Sequence, residues 1–174
     1  PEDIDENFIK SSELVFLEGY LWDEGKPKAS FDKALTLANK SAMSLSDKFC
    51  VDRHKKSFYD LVKNKLDIIF ANEQEIMELI DAKIFENVVE FGKSLDKILV
   101  ITRSDKGSIA ICGSQVVESE GQKDLEIVDL TGAGDLFAAG FLHGFINNMS
   151  TKESLHKGTE MASKIIQKIG ARLN

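Results

Sequence analysis

Apolar residues change their spacing repeatedly along this chain. Ile4, Phe8 and Ile9 stand at helical spacing, and the run Leu14-Val15-Phe16-Leu17 has the length of a buried strand. Phe31, Ala34, Leu35, Leu37 and Ala38 form a second helical face, followed by a second strand from Ala42 to Leu45. A helix from about Arg53, with Phe58, Leu61 and Val62 inward, leads to a strand from Asp67 to Ala71. Helical faces through Ile76, Leu79 and Ile80 and through Val88, Val89 and Phe91 precede a strand from Ile98 to Thr102. Strands alternating with helices require crossover connections, which predicts an α/β fold with a mainly parallel sheet and helices on both faces. Beyond Thr102 the rhythm shortens. Gly107, Gly113 and Gly121 punctuate three β-like runs, Ser108 to Cys112, Gln115 to Glu118 and Glu126 to Val128, which suit a small antiparallel hairpin region. Two helices close the chain, one from near Gly134 to about Asn147 and one after Ser150, whose pairing with Glu153 reads as a capping box, ending near Ile169-Gly170.

Composition narrows the partners. A net charge of −7 makes the chain a poor electrostatic match for nucleic acid or an anionic membrane, so any phosphate must be held by local geometry. Two distant cysteines, Cys50 and Cys112, form no disulfide framework, and no apolar run is long enough for a membrane span; a reducing, cytoplasmic setting is expected. The chain starts at Pro1 instead of Met, so a processed chain or a fragment is expected.

The densest chemical signal is Asp129-Leu130-Thr131-Gly132-Ala133-Gly134-Asp135, between a β-like run and a long helix. Four of the 12 glycines fall between 132 and 144. A glycine-rich turn that opens a helix offers unpaired backbone N–H groups at the positive end of the helix dipole, a ready anion site. The same glycines could serve packing only, since Ala138, Ala139, Gly140 and Gly144 make a small-residue helix face. Both readings stay open on spacing alone. Phe137 stands where a dinucleotide fingerprint needs its third glycine, and Gly19 to Lys26 fails as a phosphate loop because five residues separate its glycines and Pro27 follows Lys26. Asn72 and Glu75, at a strand end, suit either a helix cap or the organisation of hydrated magnesium. His54, His143 and His156 share no metal-ligand spacing.

Together these residues resemble the ribokinase-like, or PfkB, carbohydrate kinases. Asp129 to Gly144 is similar to that family's Asp-Thr-Thr-Gly-Ala-Gly-Asp turn and small-residue helix, with Leu130 in place of the first threonine. Asn72-Glu73-Gln74-Glu75 resembles its Asn-x-x-Glu element, and Thr102 to Gly107 its nucleotide strand, with Ser104 in place of a glycine. The stretches Ser46 to Arg53 and Ile169 to Arg172 are nearest an adenosine-kinase-like branch.

The resemblance implies that residues 1–174 are the C-terminal, nucleotide-binding and catalytic part of such a kinase, without the N-terminal lid and sugar-binding half, and inactive by themselves. It implies ATP-dependent phosphoryl transfer to a hydroxyl of a sugar or nucleoside, with Asp135 as general base and the Gly132, Ala133, Gly134 and Asp135 backbone as anion hole. Asn72 and Glu75 would act on Mg2+ through water, while Thr102, Ser104, Gly107, Ala162 and Ile166 would line the nucleotide. Asp129 and Thr131 match positions whose backbone oxygens bind a monovalent cation such as K+ in some members. A homodimer formed through the lid is a further expectation. A non-catalytic nucleotide-binding regulatory domain, or a purely structural α/β domain, is the alternative.

Overall fold

The computed structural model describes residues 1–22 and 25–173. Asp23 and Glu24, inside the rejected phosphate-loop stretch, lie outside the described residues. Six strands follow one another in chain order across the sheet: β1 (Val15–Glu18), β2 (Ser41–Ser44), β3 (Ile68–Asn72), β4 (Ile98–Thr102), β5 (Ser108–Cys112) and β6 (Gln115–Ser119). β1, β2 and β3 are parallel, Phe16 standing beside Ala42 and Ala42 beside Ile68. The α/β class with a mainly parallel sheet and a terminal antiparallel pair is what the alternating periods predict.

The chain forms two compact units, Pro1–Leu99 with Cys112–Ser114, and Val100–Ile111 with Gln115–Asn174. The first carries α1 (Glu6–Ser11), α2 (Lys26–Leu37), α3 (Lys48–Asn64), α4 (Glu73–Leu79) and α5 (Phe85–Ser94). Its core is built on Ala42, Met43, Phe58, Leu61, Leu66 and Ile69, all essentially inaccessible to solvent. Trp22 meets Phe31 edge-on at 5.0 Å between ring centres and Phe58 at 6.3 Å. α3 begins at Lys48 rather than at Arg53, because the Asp47 carboxylate caps it by accepting the Cys50 N–H at 2.6 Å. A break at His54 (φ −114°, ψ 18°) separates this extra turn from the amphipathic remainder.

The second unit holds α6 (Ala133–Ile146) and α7 (Thr151–Ile165), which pack closely. Glycine sets that distance: a Cβ on Gly140 would lie 2.6 Å from the Lys157 carbonyl oxygen, and one on Gly144 2.6 Å from Ser154 Oγ. The Ser150–Glu153 capping box is present, with the Ser150 N–H donating to Glu153 Oε2 at 2.8 Å. One expectation fails. Glu126 to Val128 form no strand, because the Val128 and Asp129 N–H groups both donate to the Ile166 carbonyl at the end of α7, at 2.8 and 3.2 Å. The last helix also ends sooner than expected, at Ile165.

Candidate active site

In the second unit the segment leading into α6 is tied to the chain's C-terminal tail. Asp129 Oδ1 accepts the Thr131 N–H (2.9 Å) and hydroxyl (2.7 Å), and Oδ2 accepts the Gly170 N–H (2.9 Å). These donors, the Thr131 hydroxyl foremost, hold the Asp129 carboxyl below its ordinary value. Gly132 then takes a left-handed conformation (φ 79°, ψ 4°) as the N-cap of α6, and a Cβ there would lie 2.9 Å from the Ala171 Cβ. Its glycine identity is thus required by the turn.

Gly134 is different. It lies in the first turn of α6 at negative φ, and a Cβ added to it would meet nothing within 4 Å. Neither backbone strain nor packing calls for a glycine at this place, where alanine would favour the helix. Among the described residues no side chain caps α6. The Ala133 N–H closes the turn on the Leu130 carbonyl at 3.1 Å, whereas the N–H groups of Gly132, Gly134 and Asp135 have no acceptor among the described residues. Asp135 is exposed, and its carboxylate has no hydrogen bond or ion pair among the described residues. A patch of unpaired amides beside an unengaged carboxylate suits a ligand that brings both negative charge and a proton to lose.

Ala162 and Ile166 lie at the end of α7, joined by the Ile166 N–H donating to the Ala162 carbonyl at 3.1 Å. Through the Ile166 carbonyl they adjoin the Val128–Asp129 backbone, so the sequence-derived nucleotide positions and the turn are neighbours within this unit. Thr102 ends β4, and Ser104 follows with φ 53°, the left-handed conformation that a glycine would take without strain. Gly107 (φ 84°) is structural, since a Cβ would collide with the Ser119 carbonyl. The Asp129 and Thr131 carbonyls accept none of the backbone hydrogen bonds found around the turn.

Asn72 and Glu75 belong to the first unit, where they form a complete capping box on α4. Asn72 Oδ1 accepts the Glu75 N–H at 2.8 Å; Glu75 Oε2 accepts the Asn72 N–H at 2.9 Å and Oε1 the Asn72 side-chain N–H at 2.6 Å. Both Glu75 oxygens are thereby engaged, which fits contact with a hydrated metal better than direct ligation. Glu75 is only 5% exposed; burial raises its carboxyl above the ordinary value, the Asn72 N–H opposes that, and the Asp47 charge adds to it. Asp47 also acts on Tyr20, whose hydroxyl donates to the Ser46 carbonyl at 3.3 Å and whose phenol is pushed up to about 12, first by lost solvation and then by the Asp47 carboxylate. Sequence reasoning missed this Tyr20–Asp47–Glu75 group. Asp47 before a helix carries an N-cap signature, but nothing local links it to Glu75. Among the described residues no cluster of three His, Cys, Asp or Glu side chains could hold a metal, and no helix is long and apolar enough to cross a membrane.

The chain is 34% identical over 114 residues to a cytidine kinase of Thermococcus kodakarensis, an overlap of 63% of this chain and 40% of that one. The solved adenosine kinase of Sinorhizobium meliloti superposes with a TM-score of 0.94 at 34% identity, over 99% of this chain and 54% of that one. A probable sugar kinase of Rhizobium etli CFN 42 gives 0.95 at 35% identity, again over 99% and 54%. The chain therefore spans about half the length of the relatives it matches. The family model described as pfkB family carbohydrate kinase matches residues 1–174 throughout, and the chain belongs to that family.

Proposed function

We propose that the protein transfers the γ-phosphoryl group of ATP to a hydroxyl of a small sugar or nucleoside, using the turn at Gly132–Asp135. The observation that carries this reading is the start of α6: amides and a carboxylate without a partner among the described residues, and a glycine that packing does not require. In the reaction the acceptor oxygen forms a bond to the γ-phosphorus, the bond from that phosphorus to the β,γ-bridging oxygen breaks, and ADP leaves. Asp135 takes the hydroxyl proton. The Gly132, Gly134 and Asp135 N–H groups stabilise charge on the phosphoryl oxygens as it passes.

Asn72 and Glu75 would hold the water shell of Mg2+, which when bound neutralises phosphate charge. Thr102, Ser104 and Gly107 would flank the nucleotide, with Ala162 and Ile166 against the base. The Asp129 and Thr131 carbonyls would suit K+. Relatives acting on nucleosides and on sugars support the two acceptor classes equally.

The test is Asp135→Asn, made in a protein that carries the other half its relatives possess. Asparagine keeps shape and hydrogen bonding but cannot accept the proton, so kcat should fall by roughly 10²–10⁴-fold with ATP affinity and melting temperature nearly unchanged. A near-normal kcat would refute Asp135 as the base. Loss of melting temperature without loss of rate per folded molecule would favour a turn that serves packing only.

A further inference from the structure

The segment that leads into α6 has little apolar anchorage. Ile127, Val128 and Leu130 are exposed, so burial does not fix where this stretch lies. Polar groups do. The Val128 and Asp129 N–H groups donate to the Ile166 carbonyl at 2.8 and 3.2 Å, and one oxygen of the Asp129 carboxylate accepts the Gly170 N–H at 2.9 Å. Its other oxygen accepts the Thr131 N–H and hydroxyl at 2.9 and 2.7 Å. A single side chain thus joins groups 41 residues apart, three residues before Gly132, where a Cβ would collide with Ala171. Gly170 supplies its N–H from a left-handed backbone (φ 88°); a Cβ there would meet nothing within 4 Å, so conformation and not space asks for glycine.

Charge argues against a direct part for Asp129 in phosphate binding. An ionised carboxylate so near in sequence to an anion site repels phosphate, and its donors, the Thr131 hydroxyl foremost, hold its carboxyl below the ordinary value and in the charged form. Asparagine would carry no such penalty, but it has one acceptor oxygen where two are in use. The double attachment is what the carboxylate alone supplies.

We propose that Asp129 is a positioning residue for phosphoryl transfer, its two oxygens pinning the entry of α6 to the tail at 166–171 and thereby fixing where the Gly132, Gly134 and Asp135 amides stand. On the phosphoryl-transfer reading, which this role presupposes, donors to a developing charge must be held to within about 0.5 Å, and a misplacement of about 1 Å costs on the order of 10²-fold in rate.

The test is Asp129→Asn in the complete polypeptide. Four quantities are measured: kcat, amide hydrogen exchange at Thr131 and Gly170, affinity for ADP, and affinity for ADP with aluminium fluoride, which imitates the transferring phosphoryl. Asparagine leaves the backbone carbonyls of 129 and 131 in place but must release Gly170 or Thr131, whose amide should then exchange at least about tenfold faster. Both kcat and affinity for the mimic should fall about 10–100-fold, with affinity for ADP alone within about twofold of wild type. Thr131→Val removes one donor at an exposed position and should lose about 3–10-fold in kcat, most of which Thr131→Ser, restoring the hydroxyl, should recover. A role in stability alone would lower Tm and leave kcat per folded molecule and mimic affinity unchanged. Faster exchange with kcat and mimic affinity within about twofold overturns the proposal, as does unchanged exchange at both amides. A wild type that binds the mimic no more tightly than ADP refutes the phosphoryl-transfer reading and the pin with it, so the two failures are told apart.

Discussion

Gly134→Ala sets fold and function against each other. The residue is helical, a Cβ would meet nothing within 4 Å, and its N–H has no acceptor among the described residues. Alanine in a helix is favoured over glycine by about 0.5–1 kcal/mol, so the variant should be more stable. For a chain of this size that amounts to a rise of about 1–4 °C in Tm. A phosphoryl oxygen held by the Gly134 amide would sit about 2.9 Å from the nitrogen, where the added methyl crowds it. Alanine keeps the N–H but pushes the oxygen away from it, and complete loss of one such donor to a developing negative charge costs roughly 10²–10³-fold in kcat, which sets the upper limit. The expected result is therefore a higher Tm with a kcat lowered well beyond twofold, by up to about 10²–10³-fold.

Turnover should be measured over a panel of sugars and nucleosides with the complete polypeptide. Binding of ADP with aluminium fluoride, a mimic of the transferring phosphoryl, gives a second readout independent of the acceptor's identity. A variant that gains stability while keeping kcat and mimic affinity within about twofold would show that phosphate does not approach the Gly134 amide.

Three other changes separate structural from chemical roles. Gly140→Ala drives a methyl to 2.6 Å from the Lys157 carbonyl and should destabilise the protein by about 1–3 kcal/mol in denaturant unfolding, with kcat per folded molecule retained. Glu75 binds its proton more tightly folded than unfolded, so stability is fullest below its ordinary 4.5 and declines as pH rises through the raised value; Glu75→Gln should flatten this part of the Tm–pH profile and raise the magnesium concentration needed for half-maximal rate. Ser104→Gly should raise stability by about 1 kcal/mol, measured as a shift in the urea midpoint, by relieving a left-handed serine.

The helical faces and parallel strands were legible because burial imposes their periods, and even the Ser150–Glu153 box could be read from two residues. What escaped was tertiary. Ile127 and Val128 look like strand residues, yet they are exposed, and the amides of Val128 and Asp129 are claimed by the Ile166 carbonyl some forty residues on. Phe49 suggested no helix start because it points outward, 78% exposed, and the onset of α3 is set by the Asp47 cap. Gly140 and Gly144 stood out as a packing face, but Gly158, whose Cβ would press to 2.8 Å on the Phe137 carbonyl, lies in a polar stretch without any signal. At the candidate site the turn was legible from glycine and aspartate spacing. The Gly170 clip on Asp129 and the Asp47 charge near Glu75 join residues distant in sequence and were not.

The contrast between helix starts explains why function is best sought at α6. Side chains cap α1, α3, α4 and α7 through Asp5, Asp47, Asn72 and Ser150, each satisfying amides that would otherwise face solvent. α6 enters without a side-chain cap, from a left-handed glycine, with a second glycine where alanine fits and a carboxylate without a partner among the described residues. Ile127, Val128 and Leu130 just before it are exposed at 64%, 48% and 64%. The uncapped start, the unneeded glycine and the exposed apolar side chains run against local stability, whereas Asp135 in the first turn favours the helix dipole; together they occupy nine consecutive residues, from 127 to 135. α2 and α5 also start without a side-chain cap, so the uncapped start alone marks nothing; its combination with a glycine that packing does not need and a carboxylate unengaged among the described residues is what points to a role other than folding. Packing accounts for Gly132, Gly140 and Gly144, each of which a Cβ would crowd; it does not account for Gly134 or Asp135. Those two residues are where the structural and catalytic readings differ, and single substitutions at them decide between the two.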